Sequence, residues 1–562
     1  MPSRRCHFYF VPRSFMRPTI RSIALAFILG ALLAPAAQAS PQQTSIMMDD
    51  DLLVYRDDQT AARALTQMKS LGVDTIRVTV LWKVVAESAR PTKGELAKLK
   101  GKAKERARKQ LKRFKADDPS TYPRQNWDRY DNLVKAANDR GIRVYFNITG
   151  PGPLWAQTTP PKKLSKLLGT YKPKAGAFKL FVTAVGKRFS GTYRDENASR
   201  GVLPRVSFWS LWNEPNQGGW LTPQWETRGG QKVPTSPMLF RQLYQFGYQG
   251  LVASGHAGDI ILLGETAPLG SDAKTEKSPM RPKQFLRELF CIQPNGTPYT
   301  GAAARLRNCG DFAKSGPLRA TGYAHHPYTK NVSPAVRDPN PDSLTMANID
   351  ELGTLLDDIA AKTNNVSTAL PLFMTEFGFE TNPPDPFSGI APPLQAKYNV
   401  LGEYQAYSNP RVMSQAQFLL ADVPPVRTRK KNSKGYWFTY QSGLFFTAGK
   451  LIGQAKPAAY SYAMPLLATP AGTDPTTATP LFNFWGQLRF LPNGTPDVVH
   501  IQWRPKDGSL PWTDVGDPVT IDERGYYIAT RTAPLAAPGE WRAAWLRADG
   551  SIGSTSPGTD GS

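Results

Sequence analysis

From Thr44 to about Leu467 the chain alternates short runs rich in β-branched and aromatic residues with longer stretches in which apolar side chains recur at helical spacing. Runs at 44–49, 74–81, 142–148, 205–212, 259–264, 320–326, 370–376 and 414–420 read as strands. Between them, Phe178, Phe181, Val182, Val185 and Phe189 line one helical face, and Ile349, Leu352, Leu355, Leu356 and Ile359 line another. Such alternation specifies repeated β/α units, and eight of them predict an α/β fold, a (β/α)8 TIM barrel spanning residues 40–470. In the second strand Ile76, Val78 and Val80 alternate with Arg77 and Thr79. If the apolar set faces the helices, Arg77 faces the barrel axis, where a guanidinium needs an anionic partner, either in a structural ion pair or in an active site.

Past Pro470 a loose run of Ala, Gly, Thr and Pro reads as a linker over 471–480. The period then changes to two. Val499, Ile501 and Trp503 alternate with His500, Gln502 and Arg504, and Trp541, Ala543 and Trp545 repeat the pattern. Turn signals stand at Asn493-Gly494, Asp507-Gly508 and Asp549-Gly550. These features predict a small C-terminal β-sandwich domain over 481–562, ending in a flexible tail, with its tryptophans in the core more than on the surface as sugar platforms.

The first 39 residues hold Arg13, Arg17 and Arg21, then an apolar run from Ile23 to Leu33, then Ala37-Gln38-Ala39. That is the layout of a secretory signal peptide cleaved after Ala39, and the run is shorter than the ~20 residues needed to span a bilayer. A secreted, extracellular chain meets oxidising conditions. With Cys6 in the leader, Cys291 and Cys309 are expected to form a disulfide, two buried thiols being the alternative.

The formal charge of +24 becomes about +19 without the leader's five arginines. Much of it is local: Lys93 to Lys115 holds eleven Lys or Arg against Glu95 and Glu105 and reads as a solvated helical insertion. Only Phe114 is available there for base stacking, so nucleic acid is not an expected partner. Electrostatic association with an anionic cell wall or polysaccharide suits the charge better. A monomer is the expected state.

Candidate chemistry lies at strand ends. The fourth strand runs into Asn213-Glu214-Pro215 and the seventh into Thr375-Glu376-Phe377-Gly378, placing two carboxylates at the C-terminal face, where barrels of this kind carry their active sites. Strands four and seven lie across the barrel from each other. Two carboxyl groups in different environments can deliver a proton to a glycosidic oxygen and set negative charge against an oxocarbenium-like centre. Their spacing decides between retention and inversion of the anomeric centre.

Trp212-Asn213-Glu214-Pro215 and Thr375-Glu376-Phe377-Gly378 together resemble the signature of clan A glycoside hydrolases, which include the family 5 cellulase-like and family 39 enzymes. The resemblance covers about residues 44–467. It implies a retaining hydrolase of carbohydrate substrates, without cofactor, in which Glu214 is the acid/base, Glu376 the nucleophile and Asn213 a ligand of the sugar 2-hydroxyl. It extends to Arg77, to His326-Pro327-Tyr328 beside the nucleophile, and to Gly443-Leu444 with Lys456-Pro457-Ala458. One departure is the absence of tryptophan from Gln415 to Asp422, at the end of strand eight, for which Trp437 is the candidate replacement as a sugar platform.

Asn147, ending strand three, is a candidate for sugar hydroxyls or for a capping role, and His325 reads as a buried, hydrogen-bonded histidine. Trp82, Trp155 and Trp220 follow strands two, three and four, where aromatic faces can stack on pyranose rings. Glu265 ends strand five without an Asn-Glu arrangement and reads as a loop anchor or substrate contact. A catalytically silent carbohydrate-binding or wall-binding barrel is the non-enzymatic alternative. A metal-dependent hydrolase is disfavoured, because the chain has five histidines in all, one of them in the leader.

Overall fold

The computed structural model describes residues 40, 42–198, 201–490 and 497–561. The expected signal peptide and the Asn493-Gly494 turn lie outside the described residues. Eight parallel strands close into a barrel: Thr44–Met48 (β1), Thr75–Leu81 (β2), Arg143–Thr149 (β3), Phe208–Leu211 (β4), Ile260–Thr266 (β5), Gly322–His325 (β6), Leu372–Met374 (β7) and Val412–Phe418 (β8). β1 pairs with β8 to complete the ring. Each strand lies where the alternation predicts it, with ends displaced by at most three residues.

The two-residue period sorts the side chains. Ile76, Val78, Val80, Phe146, Ile148, Trp209 and Leu211 face outward and merge with Phe178, Phe181, Val185, Leu352, Leu356 and Ile359 of the surrounding helices in one core. Ile46, Tyr145, Phe208, Leu262, Ala324, Phe373 and Ala416 form a separate cluster, which fills the barrel interior. One step further along the strands the buried positions turn polar, at Ser210, Glu265, His326 and Thr375. An apolar plug therefore carries a charged layer beneath the C-terminal rim.

The basic insertion forms two helices, Lys93–Lys98 and Gly101–Arg113. Thr92 and Glu95 cap the first reciprocally, and only Ala107 of the second is buried. Cys291 and Cys309 are joined as a disulfide, their α-carbons 5.9 Å apart.

Two antiparallel sheets follow the barrel. Leu466–Thr473 (β9), Pro480–Gln487 (β10) and Tyr526–Thr532 (β12) form one, while Val498–Pro505 (β11), Gly539–Leu546 (β13) and Ile552–Thr555 (β14) form the body of the other. Phe484, Tyr527 and Ala529 of the first meet Val499, Ile501, Trp503, Trp541 and Trp545 of the second in a shared core, making a small sandwich. The tryptophans of β11 and β13 are thus core residues.

Two expectations are corrected here. The stretch 471–480 is not a linker: β9 pairs antiparallel with β10, so 474–479 is the turn of a hairpin and the sandwich begins at Leu466. β9 lies at a sheet edge, where Pro470 and Gly472 are tolerated and where they disguised a strand as a loop. The tail is also not free, since Trp541 and Thr559 exchange two backbone hydrogen bonds at 2.7 and 2.8 Å.

Candidate active site

The rim is built from backbone that most residues avoid. Trp212 and Glu214 at the end of β4 and Glu265 in β5 have φ of 74°, 38° and 53°. Non-glycine residues in this left-handed region carry strain that the surroundings must hold in place, and such positions concentrate at functional sites. Glu214 N donates to Glu265 O at 2.9 Å and Asn213 N to Thr149 Oγ1 at 2.9 Å, locking the turn that lifts the Glu214 carboxyl into the opening. That side chain keeps 20% of its surface exposed, whereas Glu376, just past β7, keeps 9%.

An oxygen of Glu214, an oxygen of Glu376 and a ring nitrogen of His326 lie within 4.8 Å of one another. Arg77 points inward, fully buried, and donates from Nη1 to Glu376 Oε1 at 2.8 Å and from Nη2 to Asn213 Oδ1 at 2.8 Å. Tyr328 donates its hydroxyl to Glu376 Oε2 at 3.0 Å. Both Glu376 oxygens are therefore held. Burial pushes the Glu376 carboxyl above the ordinary range; His326 and Arg77 oppose that rise, and Glu214 and Glu265 add to it.

Beneath this pair lies Glu265, completely buried. It accepts from Arg77 at 3.1 Å, Ser210 at 2.6 Å, Thr375 at 2.8 Å and the Tyr145 hydroxyl, and it lies 2.7 Å from His326 Nε2. Burial would raise its carboxyl, but Arg77 and His326 overcome that and hold it well below the usual range. His326 Nδ1 reaches Glu214 Oε1 at 2.9 Å. Burial favours a neutral ring at His326, yet Glu376, Glu214 and Glu265 together push it up to about 10. The His326 ring and the Arg77 guanidinium are thus enclosed by three carboxyl groups, which favour the charged form of the ring. His325, next in sequence, is bonded to Thr266 and Leu344 O and is pushed by burial down to about 3.

Glu265 is the residue whose place sequence reading misjudged. It is neither a loop anchor nor a substrate contact, because its partners come from β2, β3, β4 and from the residues just past β6 and β7 and enclose it below the opening. A signal was present: a carboxylate at a strand end beside strand four, with inward Arg77 requiring an anion.

The opening above is a cleft of about 730 Å³ lined by Asn213, Glu214, Tyr328 and Glu376, with Trp220, Phe418 and Tyr440 as aromatic walls and Asp50, Asp51 and Glu380 as further acids. Burial pushes Asp50 up to about 6, and burial with neighbouring Asp385 and Asp422 pushes Glu380 up to about 7. Size and mixed lining suit a polar ligand with flat apolar faces.

Three of the predicted sugar contacts are corrected. Asn147 is fully buried and donates to Ser210 Oγ and Trp212 O, bracing β3 against β4. Trp155 packs edge-on against Trp82 and Phe114 and under the Arg90 guanidinium, away from the cleft, because the basic insertion folds back over it. Trp437 stands edge-on to Tyr436, and its loop turns Tyr440 into the cleft wall instead. Of the three tryptophans that follow strands two, three and four, Trp220 lines the cleft, and Trp82 is core, stacked on Phe181.

Glu214, His326 and Glu376 could offer three ligand atoms to a cation. Both His326 ring nitrogens, however, already lie against carboxylates, Nδ1 at Glu214 and Nε2 at Glu265, so the ring is engaged as a bridge between the two acids.

No family model and no curated protein matches the chain. Among solved structures it resembles a hyperthermophilic β-glucosidase from Pyrococcus furiosus, at 14% identity over 71% of this chain and 82% of that one, TM-score 0.40. A β-glucosidase from Thermotoga maritima gives 12% identity over 71% and 84%, TM-score 0.41. GH5_18 from Streptomyces cattleya, in complex with GlcNAc, gives 14% over 75% and 78%, TM-score 0.38. Likenesses this distant assign no chemistry to the chain, whose function is read from its own residues.

Proposed function

We propose that the protein is a retaining glycoside hydrolase, with Glu376 as nucleophile and Glu214 as acid/base. The observation that carries this reading is the approach of oxygens of Glu214 and Glu376 to within 4.8 Å on one rim. Retaining enzymes hold their carboxyl pair ~5–5.5 Å apart, whereas inverting ones need ~6.5–9.5 Å to admit a water.

In the first step a Glu376 oxygen bonds to the anomeric carbon while the bond to the leaving oxygen breaks, and Glu214 passes its proton to that oxygen. In the second, Glu214 takes a proton from water, whose oxygen displaces Glu376 from the anomeric carbon. His326 occupies Glu214 Oε1, so Oε2 is the oxygen that carries the transferable proton. Arg77 and Tyr328 fix the attacking carboxylate, and Asn213, its Oδ1 engaged by Arg77, keeps its amide hydrogens for a sugar hydroxyl.

The reading includes export: residues 1–39 act as a leader, and the N-terminus of protein recovered from culture medium would begin at Ser40. The catalytic proposal is tested with an activated 2-deoxy-2-fluoro glycoside. A stable adduct on Glu376 is the expected result. No adduct and no aryl release across a broad glycoside panel would favour the binding-only alternative.

A further inference from the structure

Strands seven and eight feed long loops to the rim, and the second carries a feature that the proposed chemistry does not use. Between Val423 and Tyr440 the chain forms a pinned hairpin, with Val423 N donating to Tyr440 O and Val426 N to Tyr436 O, both at 2.8 Å. Its tip turns through Arg429 N to Val426 O and Ser433 N to Lys430 O, at 2.9 and 3.0 Å. Val423 and Tyr440 at its base also line the catalytic cleft. The hairpin is therefore an extension of the cleft wall.

Its charge is one-sided. Arg427, Arg429, Lys430, Lys431 and Lys434 are all exposed, and no Asp or Glu occurs from 423 to 440. A hollow of about 410 Å³ at the tip is bordered by Arg429, Lys430, Ser433 and Phe438, the last 86% exposed. Cations beside an aromatic face suit a sugar ring that carries an anionic group, since the ring stacks and the charge pairs. The cleft leans the other way: Asp50, Asp51 and Glu380 join the two catalytic carboxylates there, against the one lining lysine, Lys330. This distribution favours acidic sugar units at the hairpin over acidic units at the cleavage point.

We propose that the 423–440 hairpin is a docking surface for an anionic polysaccharide, gripping acidic units of the chain whose uncharged unit occupies the cleft. The inference rests on the glycosidase reading for its substrate class, but its test is separable. A polymer is favoured over an anionic membrane because the base of the hairpin, at Val423 and Tyr440, lines a saccharide-sized cleft, and its aromatics Phe438 and Tyr440, 86% and 58% exposed, offer ring faces of the kind that stack on sugars.

The experiment compares the wild type, the hairpin variant R427S/R429S/K430S/K431S/K434S, and the charge-matched control K102S/R106S/R108S/K112S/R113S on the exposed face of the basic insertion. Affinity electrophoresis is run in gels containing polygalacturonate, dextran sulfate or neutral laminarin, and sedimentation with phosphatidylglycerol vesicles. Aryl glycoside turnover is measured in parallel.

The expected result is an affinity loss of roughly tenfold or more for the hairpin variant on the two anionic polymers, abolished by salt, with little loss for the control and equal aryl glycoside turnover in all three. Equal losses in both variants, no loss in the hairpin variant, equal retention by laminarin, or binding to vesicles alone would each overturn the proposal. If the hairpin variant does not fold, acetylation footprinting of the wild type decides: polygalacturonate should protect Lys430, Lys431 and Lys434 and leave Lys102 and Lys112 reactive, and the reverse pattern would end it. Absence of aryl glycoside turnover in the wild type, with the binding pattern intact, would count against the glycosidase reading alone.

Discussion

His326 links Glu214 to Glu265: its two ring nitrogens lie 2.9 Å from one carboxyl and 2.7 Å from the other. Glu265 is completely buried, so in the proposed reaction it would act through the ring and not on the sugar itself. Its charge helps keep the imidazolium charged, and the imidazolium in turn orients the proposed acid/base. Glu265 is on this view a positioning residue.

Glu265→Gln preserves the volume and removes the charge, so the His326 pKa should fall from about 10. The expected outcome is a folded protein with kcat/KM lowered by roughly 10- to 100-fold and the alkaline limb of its pH–rate profile moved to lower pH. Glu265→Ala would instead leave Arg77 and His326 short of an anion and is expected to cost about 3–5 kcal/mol in stability. A pH profile identical to wild type in Glu265→Gln would reduce Glu265 to a packing role.

The two carboxylates proposed as catalytic should respond differently to leaving-group chemistry. Glu376→Ala is expected to abolish turnover of every substrate. Glu214→Ala is expected to spare glycosylation by 2,4-dinitrophenyl glycosides, whose leaving group needs no proton, and to slow it by roughly 100- to 10,000-fold for alkyl glycosides. Pre-steady-state release of the aryl group measures this directly, and equal slowing for good and poor leaving groups would contradict the assignment.

The eight strands were legible because each is a short β-branched or aromatic run between amphipathic stretches, and the period of two also gave the inward direction of Arg77. The catalytic candidates were legible because a carboxylate ending a barrel strand has one place to go. What escaped had its cause in other parts of the chain. Glu265 acquires its role from side chains of β2, β3, β4 and the ends of β6 and β7, none of them near it in sequence. Trp155 is taken from the cleft by Phe114 of the basic insertion and by Arg90 just before it, and Pro470 with Gly472 made an edge strand resemble a linker.

His326 also predicts a pH dependence of stability. Its folded pKa, about 10, lies above the value of about 6.5 for an unrestrained histidine, so the folded state holds the proton more tightly. The resulting stabilisation is complete below about pH 6.5 and is lost as pH rises through about 10. Urea unfolding from about pH 6 to about pH 11 should therefore show stability declining over that window, with the decline diminished in His326→Asn. Parallel pH curves for the two proteins would place the proton elsewhere.

The last prediction concerns the seam between barrel and sandwich. Arg489, beyond β10, reaches Glu403 at 2.5 Å from the helix Pro392–Tyr407, and both side chains are largely buried, at 7% and 11% exposed. Trp485 of β10 packs beside them on Tyr404 and Tyr407. Arg489→Met retains most of the apolar stem but strands the carboxyl, and breaking such a pair costs about 3–5 kcal/mol. Glu403 is already raised by burial to about 7 with its cation present, and without Arg489 it rises further. A carboxyl whose folded pKa exceeds its unfolded value of about 4.5 costs stability increasingly as pH climbs from that value towards the folded pKa. The loss in Arg489→Met should accordingly be larger near pH 8 than near pH 5, with kcat on an aryl glycoside unchanged because the seam lies outside the cleft. A pH-independent loss would mean that the guanidinium serves at this seam by packing on Tyr462, 4.0 Å from its ring, and not by its charge.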